Sequence, residues 1–231
     1  MTRWPLKNRH SLGKRYGFTG ARINNHELKL RSDIHIERKI WHATMVLLMV
    51  LVYVKVDRKT ALTIISLGML SFTAADILRL RWPWLNRQFV SMFHRVMRKH
   101  EAHGLAGTTY LLTGVFFSIF LFPKDVVTMT MLFLAVGDPV ASYFGIRYGK
   151  DRIVKNKSLQ GTLAAFLCCT VIAFAYFSFY KIMMDRIVLV SLVCGVIAAL
   201  SEMLPIGKLD DNLTFPIICS TGVWMVFKVF M

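Results

Sequence analysis

Uncharged apolar runs long enough to span a membrane alternate along the chain with short charged connections. Residues 158–180 carry no charge over 23 positions and residues 104–123 none over 20, both above the ~18 residues that a spanning helix needs. Residues 60–75, 187–201 and 212–227 are slightly shorter, and reach spanning length once a charged residue sits at the interface. Residues 40–54 are apolar except for His42, and 126–146 would be a clean span but for Asp138 in the middle. The pattern predicts an all-α fold: a polytopic bundle of about seven transmembrane helices, near 40–56, 60–78, 104–122, 126–147, 159–180, 186–203 and 211–229. No internal repeat or low-complexity tract interrupts it.

Composition agrees. The 231 residues are 55% hydrophobic and only 18% charged, against about 25% charged in a soluble domain. That excludes a plain soluble enzyme, and the apolar content excludes disorder. The charges split 29 basic to 13 acidic, a net of +16; a nucleic-acid partner would explain this excess but not the hydrophobicity, so none is expected. Cys168, Cys169, Cys194 and Cys219 all fall in apolar runs, without the paired spacing of a zinc site or disulfide framework.

Residues 1–39 form a separate segment with ten Lys/Arg against Glu27, Asp33 and Glu37. No apolar core follows the early basic residues until position 40, so the segment does not read as a signal peptide. Its scattered Trp, Phe and Leu fit a cytoplasmic arm lying on anionic lipid headgroups; a solvated tail has the same composition. The transmembrane domain is then 40–231. With seven spans the arm, the 79–103 connection (six Lys/Arg) and the 147–157 connection (five) share one side. The opposite connections carry three, one and two. The positive-inside rule places the N-terminus in the cytoplasm and the C-terminus outside.

Ionisable residues within spans cost about 2.5–3.5 kcal/mol on insertion scales and so mark candidate chemistry. In this topology they collect at one end. Arg38, Lys39 and His42 open the first helix, Asp76 closes the second, and Lys99 and His103 lead into the third. Asp138 lies in the fourth, Lys157 and Ser158 open the fifth, Glu202 ends the sixth, and Asp210, Asp211 and Asn212 start the seventh. Aspartate suits an N-cap and proline a first helical turn, so Gly137-Asp138-Pro139 predicts a broken helix restarting at Pro139. From there Asp138, Ser142, Gly145 and Gly149 fall on one face. A carboxylate for a metal, with glycines admitting a polyphosphate, is one reading of that stripe; helix packing around a buried acid is the other. Lys157-Ser158 and Gly161 at the start of the fifth helix suit an anion, although the Walker spacing is missing.

The run Gly137-Asp138-Pro139-Val140-Ala141-Ser142-Tyr143-Phe144-Gly145-Ile146-Arg147-Tyr148-Gly149, followed by Lys157-Ser158-Leu159-Gln160-Gly161-Thr162-Leu163-Ala164, resembles the signature of the polyprenol and diacylglycerol lipid kinases. That family holds dolichol kinase, phytol kinase and CTP-dependent diacylglycerol kinase, and is distantly similar to phosphatidate cytidylyltransferases. Arg38-Lys39-x-x-His42 resembles its R-K-x-x-H. His103-Gly104 with Gly107-Thr108-Thr109-Tyr110 and Leu121-Phe122-Pro123 resemble its third span, and Asp211-Asn212-Leu213 its last. The likeness covers residues 37 to about 217 and is specific in its central motif. The chain departs in being short, nearer the compact diacylglycerol and phytol kinases than the many-span dolichol kinases. Pro139 also stands where other members need not have proline.

The resemblance implies a membrane enzyme that transfers the γ-phosphate of CTP, or of ATP, to a lipid hydroxyl such as that of diacylglycerol or a polyprenol. It places Arg38, Lys39, Ser142, Gly145, Gly149, Lys157, Ser158 and Gly161 at the nucleotide. Mg²⁺ or another divalent cation would sit on Asp138, with Asp211 or Glu202 as second ligand. A base for the hydroxyl is left open between Asp76, His42 and His103. The site would face the cytoplasm, where headgroups lie. Two rivals stand beside it. A cytidylyltransferase would carry H-G-G after its paired acids, and none follows Asp210-Asp211. An anion transporter would place its charges at the midplane and show an inverted repeat, whereas here the charges gather at one end.

Overall fold

The computed structural model describes residues 36–154, 157–204, 206–207 and 209–231. The basic arm expected over 1–39 lies outside them except for its last four residues, which already belong to the first helix. In chain order the helices are α1 (Ile36–Lys55), α2 (Arg58–Arg81), α3 (Pro83–Phe93), a 3₁₀ turn (Lys99–His103) and α4 (Gly107–Leu121). After them come α5 (Lys124–Leu132), a π-helical turn (Phe133–Gly137), α6 (Asp138–Tyr148), α7 (Leu159–Tyr180), a 3₁₀ turn (Met184–Arg186), α8 (Ile187–Met203) and α9 (Asp211–Phe230). Five helices are long and apolar enough to cross a membrane, and Gly107–Leu121 is a shorter apolar one. The helical membrane bundle read from the sequence is the observed fold.

Local chemistry sets the ends. Asp57 caps α2 by accepting from the backbone N–H of Lys59 (2.9 Å) and Thr60 (3.3 Å). Trp82 precedes Pro83 and takes an extended backbone, which ends α2 and lets the proline open α3. Asp210 caps α9 through the N–H of Asn212 at 3.0 Å. Where helices finish, basic side chains take the last carbonyls. Lys124 Nζ donates to the carbonyls of Val54 (3.1 Å) and Val56 (2.8 Å) at the end of α1. Arg58 Nε donates to that of Ile119 (3.1 Å) near the end of α4. Tyr176 donates to Asp125 (2.8 Å) at the same end of the bundle.

The helix running from Lys124 to Tyr148 is the central one: 61% of its apolar window is buried inside the protein, against 17% for α2. Val126, Val127, Met129, Phe133 and Ala135 are fully enclosed among α1, α4, α7 and α9. The chain thus carries Asp138 on its innermost helix.

Three features differ from the sequence expectation. The helix is not broken at Gly137-Asp138-Pro139: Asp138 has helical φ −63° and ψ −48°, and its side chain caps nothing. Pro139 lacks an N–H, and its ring would crowd the carbonyl four residues back. The wider π turn over Phe133–Gly137 accommodates this while the helix continues. Second, the 79–103 connection contains α3, which buries Asn86 and Val90 and exposes Trp82, Trp84 and Met92. Its Arg87 and short apolar stripe escape a search for long uncharged runs. Third, a small antiparallel hairpin, β1 (Arg152–Val154) with β2 (Lys157–Ser158), pairs Arg152 with Ser158 and Val154 with Lys157. It delivers Lys157 to the start of α7.

A closed polar network joins α2, α3, the first 3₁₀ turn and α4. Arg79, 1% exposed, donates to Asp76 Oδ1 (2.6 Å), Asn86 Oδ1 (2.9 Å) and the carbonyls of Glu101 (3.1 Å) and Gly104 (2.7 Å). Its guanidinium also lies 5.0 Å from the centre of the Phe89 ring. The other Asp76 oxygen accepts from Ala106 N–H (2.8 Å) and Thr109 Oγ1 (2.6 Å), and Asn86 donates to the carbonyl of Ala102 (2.9 Å).

Candidate active site

Beside that network, at the same end of the bundle, a cleft of about 910 Å³ including its open mouth runs between α1, α6, α7, α8 and α9. Arg38, Lys39 and His42 enter it from α1, Asp138, Ser142 and Gly145 from α6, and Lys157, Ser158 and Gly161 from the hairpin and α7. Glu202 of α8 and Asp211 and Asn212 of α9 complete it. Of the ionisable and small residues singled out in the sequence, Asp76, Lys99, His103, Gly149 and Asp210 do not line it.

The central helix provides Asp138, half-buried, and Asp138 is the carboxylate that acts most strongly on both Lys39 and His42. Lys39 Nζ and His42 Nε2 are buried and have no hydrogen-bond partner. A buried polar atom left unmet costs on the order of 1–3 kcal/mol, more when charged, so these two atoms are a standing demand for a polar ligand, an anion at Lys39. On the opposite wall Lys157 is already engaged. It donates to Glu202 Oε1 and lies 3.7 Å from Asp211 Oδ2. Burial acts to lower its pKa, but Glu202, Asp211 and Asp138 together outweigh that and raise it above the ordinary lysine value. Lys157 is therefore a fixed positive charge.

The glycines act first in packing. A Cβ at Gly161 would fall 2.5 Å from the carbonyl of Ala141 and 3.0 Å from Gly145 Cα, so α6 and α7 touch backbone to backbone. That contact sets Ser158 against α6. Its hydroxyl accepts from Gly161 N–H at 3.2 Å, capping α7, and donates toward the carbonyl of Gly145 at 3.4 Å. Gly149 ends α6 and packs against Ser158, outside the cleft.

The rim involves side chains the sequence reading did not single out. Arg38 donates to Glu101 at 2.9 Å and to the carbonyl of Val96 at 3.2 Å. Arg98 lies 3.6 Å from Asp210, and its N–H donates to Glu101 at 3.1 Å. Glu101, 2% exposed, is the sole acid among the six basic residues of 79–103, and that isolation was the signal available for it. Two candidates for the base stand outside the cleft. Asp76 has both oxygens committed inside the closed network, and His103 is exposed on the 3₁₀ turn. His42 alone of the three reaches the cleft.

Among the described residues no three His, Cys, Asp or Glu side chains form a ready-made metal cage. Mg²⁺ commonly takes only one or two carboxylates together with water and substrate phosphates, and Asp138 facing a cationic wall fits that mode.

The chain is 27% identical over 237 residues to CTP-dependent diacylglycerol kinase 1 of Saccharomyces cerevisiae, covering 94% of this chain and 79% of that protein. It is 28% identical over 173 residues to the protein of the same name from Schizosaccharomyces pombe, covering 71% and 79%. With that of Eremothecium gossypii it shares 30% over 203 residues, covering 79% and 64%. These similarities support the lipid-kinase family for this chain. No family model matches it, and no solved structure does. The residues that resemble the lipid-kinase signature, Asp138, Ser142, Gly145, Lys157, Ser158 and Gly161, stand together in one cleft.

Proposed function

We propose that this protein phosphorylates diacylglycerol with CTP as donor, in a cleft that opens on the cytoplasmic face of a seven-span bundle. Likeness to that family makes it a phosphotransferase with an alcohol as acceptor; the relatives' names favour diacylglycerol over a polyprenol, and CTP over ATP. The observation that carries the reading is the pair of buried nitrogens without hydrogen-bond partners, Lys39 Nζ and His42 Nε2, beside Asp138 on the innermost helix.

Phosphoryl transfer depends mainly on positioning and charge neutralisation. The lipid oxygen forms its bond to the γ-phosphorus as the β,γ-bridging bond breaks, CDP leaves, and the hydroxyl proton goes to a base. Lys39 and Arg38 are placed to hold phosphate oxygens on one wall and Lys157 on the other. Glu202 and Asp211 keep Lys157 oriented. His42 Nε2 is the group placed to take the proton. Asp138 would hold Mg²⁺, with Asp211 or Glu202 completing its ligands; when bound, the ion supplies charge neutralisation at the phosphates.

Labelled nucleotide tests the reading. γ-Label from CTP is expected in phosphatidate. α-Label in lipid would mean cytidylyl transfer, and neither label would favour transport. Orientation is tested separately: a reporter fused after Met231 is expected outside the cell's cytoplasm, and a cytoplasmic signal would require an even number of spans. Vesicles with and without anionic lipid test whether the basic residues before α1 bind headgroups.

A further inference from the structure

A second concavity lies farther along α1, and it is apolar. It runs between α1 and α2, with α4 and Met131 of α5 as its floor, and measures about 650 Å³ including its open side. Met45, Met49 and Val52 line it from α1, Val56 from just beyond the end of that helix, and Ala61 and Ile64 from α2. The two helices are consecutive, joined by a tight turn, yet α1 packs on α5 and the π turn while α2 packs on α4. They diverge and leave the groove between them.

On α1 the positions Arg38, His42, Met45, Met49 and Val52 recur at alternating steps of four and three. That spacing places them on one face of the helix. The stripe begins in the polar cleft and continues into the apolar groove. The central helix does the same, giving Asp138 to the cleft and Met131 to the groove. From Met45 to the end of α1 the groove extends about 15 Å at 1.5 Å per residue.

We propose that the α1–α2 groove is the acyl-chain site of the lipid acceptor, holding one chain so that the hydroxyl stops beside His42 and Asp138. This rests on the lipid-kinase reading above and adds to it a determinant of chain length. A polar headgroup tied to an apolar tail is the ligand that matches a polar cleft continued by an apolar groove on one helix face. The groove gives the lipid a fixed register, which phosphoryl transfer needs more than it needs affinity.

The test uses the full-length protein in mixed micelles with dioleoylglycerol and with dioctanoylglycerol. Val52 and Ile64 are half-exposed on opposite walls, at 49% and 48%, so Val52→Trp and Ile64→Trp fill the groove without entering the core. Each is expected to raise KM for the long-chain lipid about tenfold, the scale of a misfit in an apolar pocket. KM for the short-chain lipid should rise no more than about twofold on the same scale. Leu167→Trp on the lipid-facing side of α7, where Leu167 is 62% exposed, is the control for a bulky residue in lipid. Equal changes for both chain lengths, or a change in oligomeric state with KM unmoved, would overturn the proposal.

A diacylglycerol bearing a diazirine midway along one chain gives an independent reading. Its adducts should concentrate on α1 and α2, and an even spread over lipid-facing helices would mean bulk lipid only. Wild-type turnover of the two lipids reports on the kinase reading by itself. Were that to fail, the photolabel would still decide the groove.

Discussion

Two buried charge clusters lie side by side at one end of this bundle, and they differ in what they leave unmet. Around Arg79 each guanidinium nitrogen has a partner, four oxygens in all, and both Asp76 oxygens are taken. Around Asp138 the wall formed by Lys39 and His42 ends in buried nitrogens with no partner, while the facing Lys157 is held by Glu202 and Asp211. A complete network specifies the packing of α2, α3 and α4. An incomplete one, open to a cleft, is arranged for something that arrives. Charge inside a membrane protein thus carries two meanings, and hydrogen-bond accounting separates them.

The largest effect is expected on the closed side. Arg79→Leu leaves Asp76 buried without its cation, and breaking such a pair costs about 3–5 kcal/mol. The variant should lose cooperative thermal unfolding in detergent. If it melted like the wild type, the network would be incidental.

Next comes Asp138→Asn, the matching test on the open side. It should reduce turnover on the order of 10²–10³-fold, the scale of removing one preorganised interaction from a transition state. Its melting temperature should hold or rise, because the amide is cheaper than a charge at that depth. Retained activity would return Asp138 to a packing role.

Lys157→Met should weaken CTP binding about tenfold and leave Glu202 without its cation. Adding Glu202→Gln should restore stability but not CTP affinity, a separation measurable by melting and by KM. The pH response sharpens this. Because its folded-state pKa is raised, the stabilisation from Lys157 is fully present below 10.5, its ordinary value, and is lost only as pH rises through the higher folded value. Any loss of activity between neutrality and pH 10 must then have another source, and an alkaline limb there that vanished in Lys157→Met would contradict the assignment.

The smallest effects belong to charges outside both clusters. His103→Ala should leave turnover within about twofold, because an exposed side chain that touches neither cluster has little to lose. Asp125→Asn removes the charge of the group that accepts from Tyr176 at the far end and leaves an amide oxygen able to accept. It should leave kinetics near wild type and cost about 1 kcal/mol of stability.

The sequence by itself determined the helical membrane bundle, because a bilayer demands long uncharged runs: all seven runs lie in helices, and among the described residues five of those helices are long and apolar enough to cross a membrane. It also determined that ionisable residues gather at one end, since alternating helices return the same end of each connection to the same side. The likeness to lipid kinases rested on residues contiguous in the chain, and these did assemble. What periodicity could not decide was the partner of each charge. Asp76 and Asp138 look alike in sequence, each an acid in an apolar run. Only the fold matches Asp76 with an arginine three residues on and backbone groups some thirty residues away, and sets Asp138 between α1 and α7. The helix break expected at Pro139 failed for a similar reason. A π turn upstream absorbed the missing N–H, and that geometry depends on how tightly neighbours enclose the helix. The groove beside α1 is also a tertiary fact: it exists because consecutive helices chose different partners.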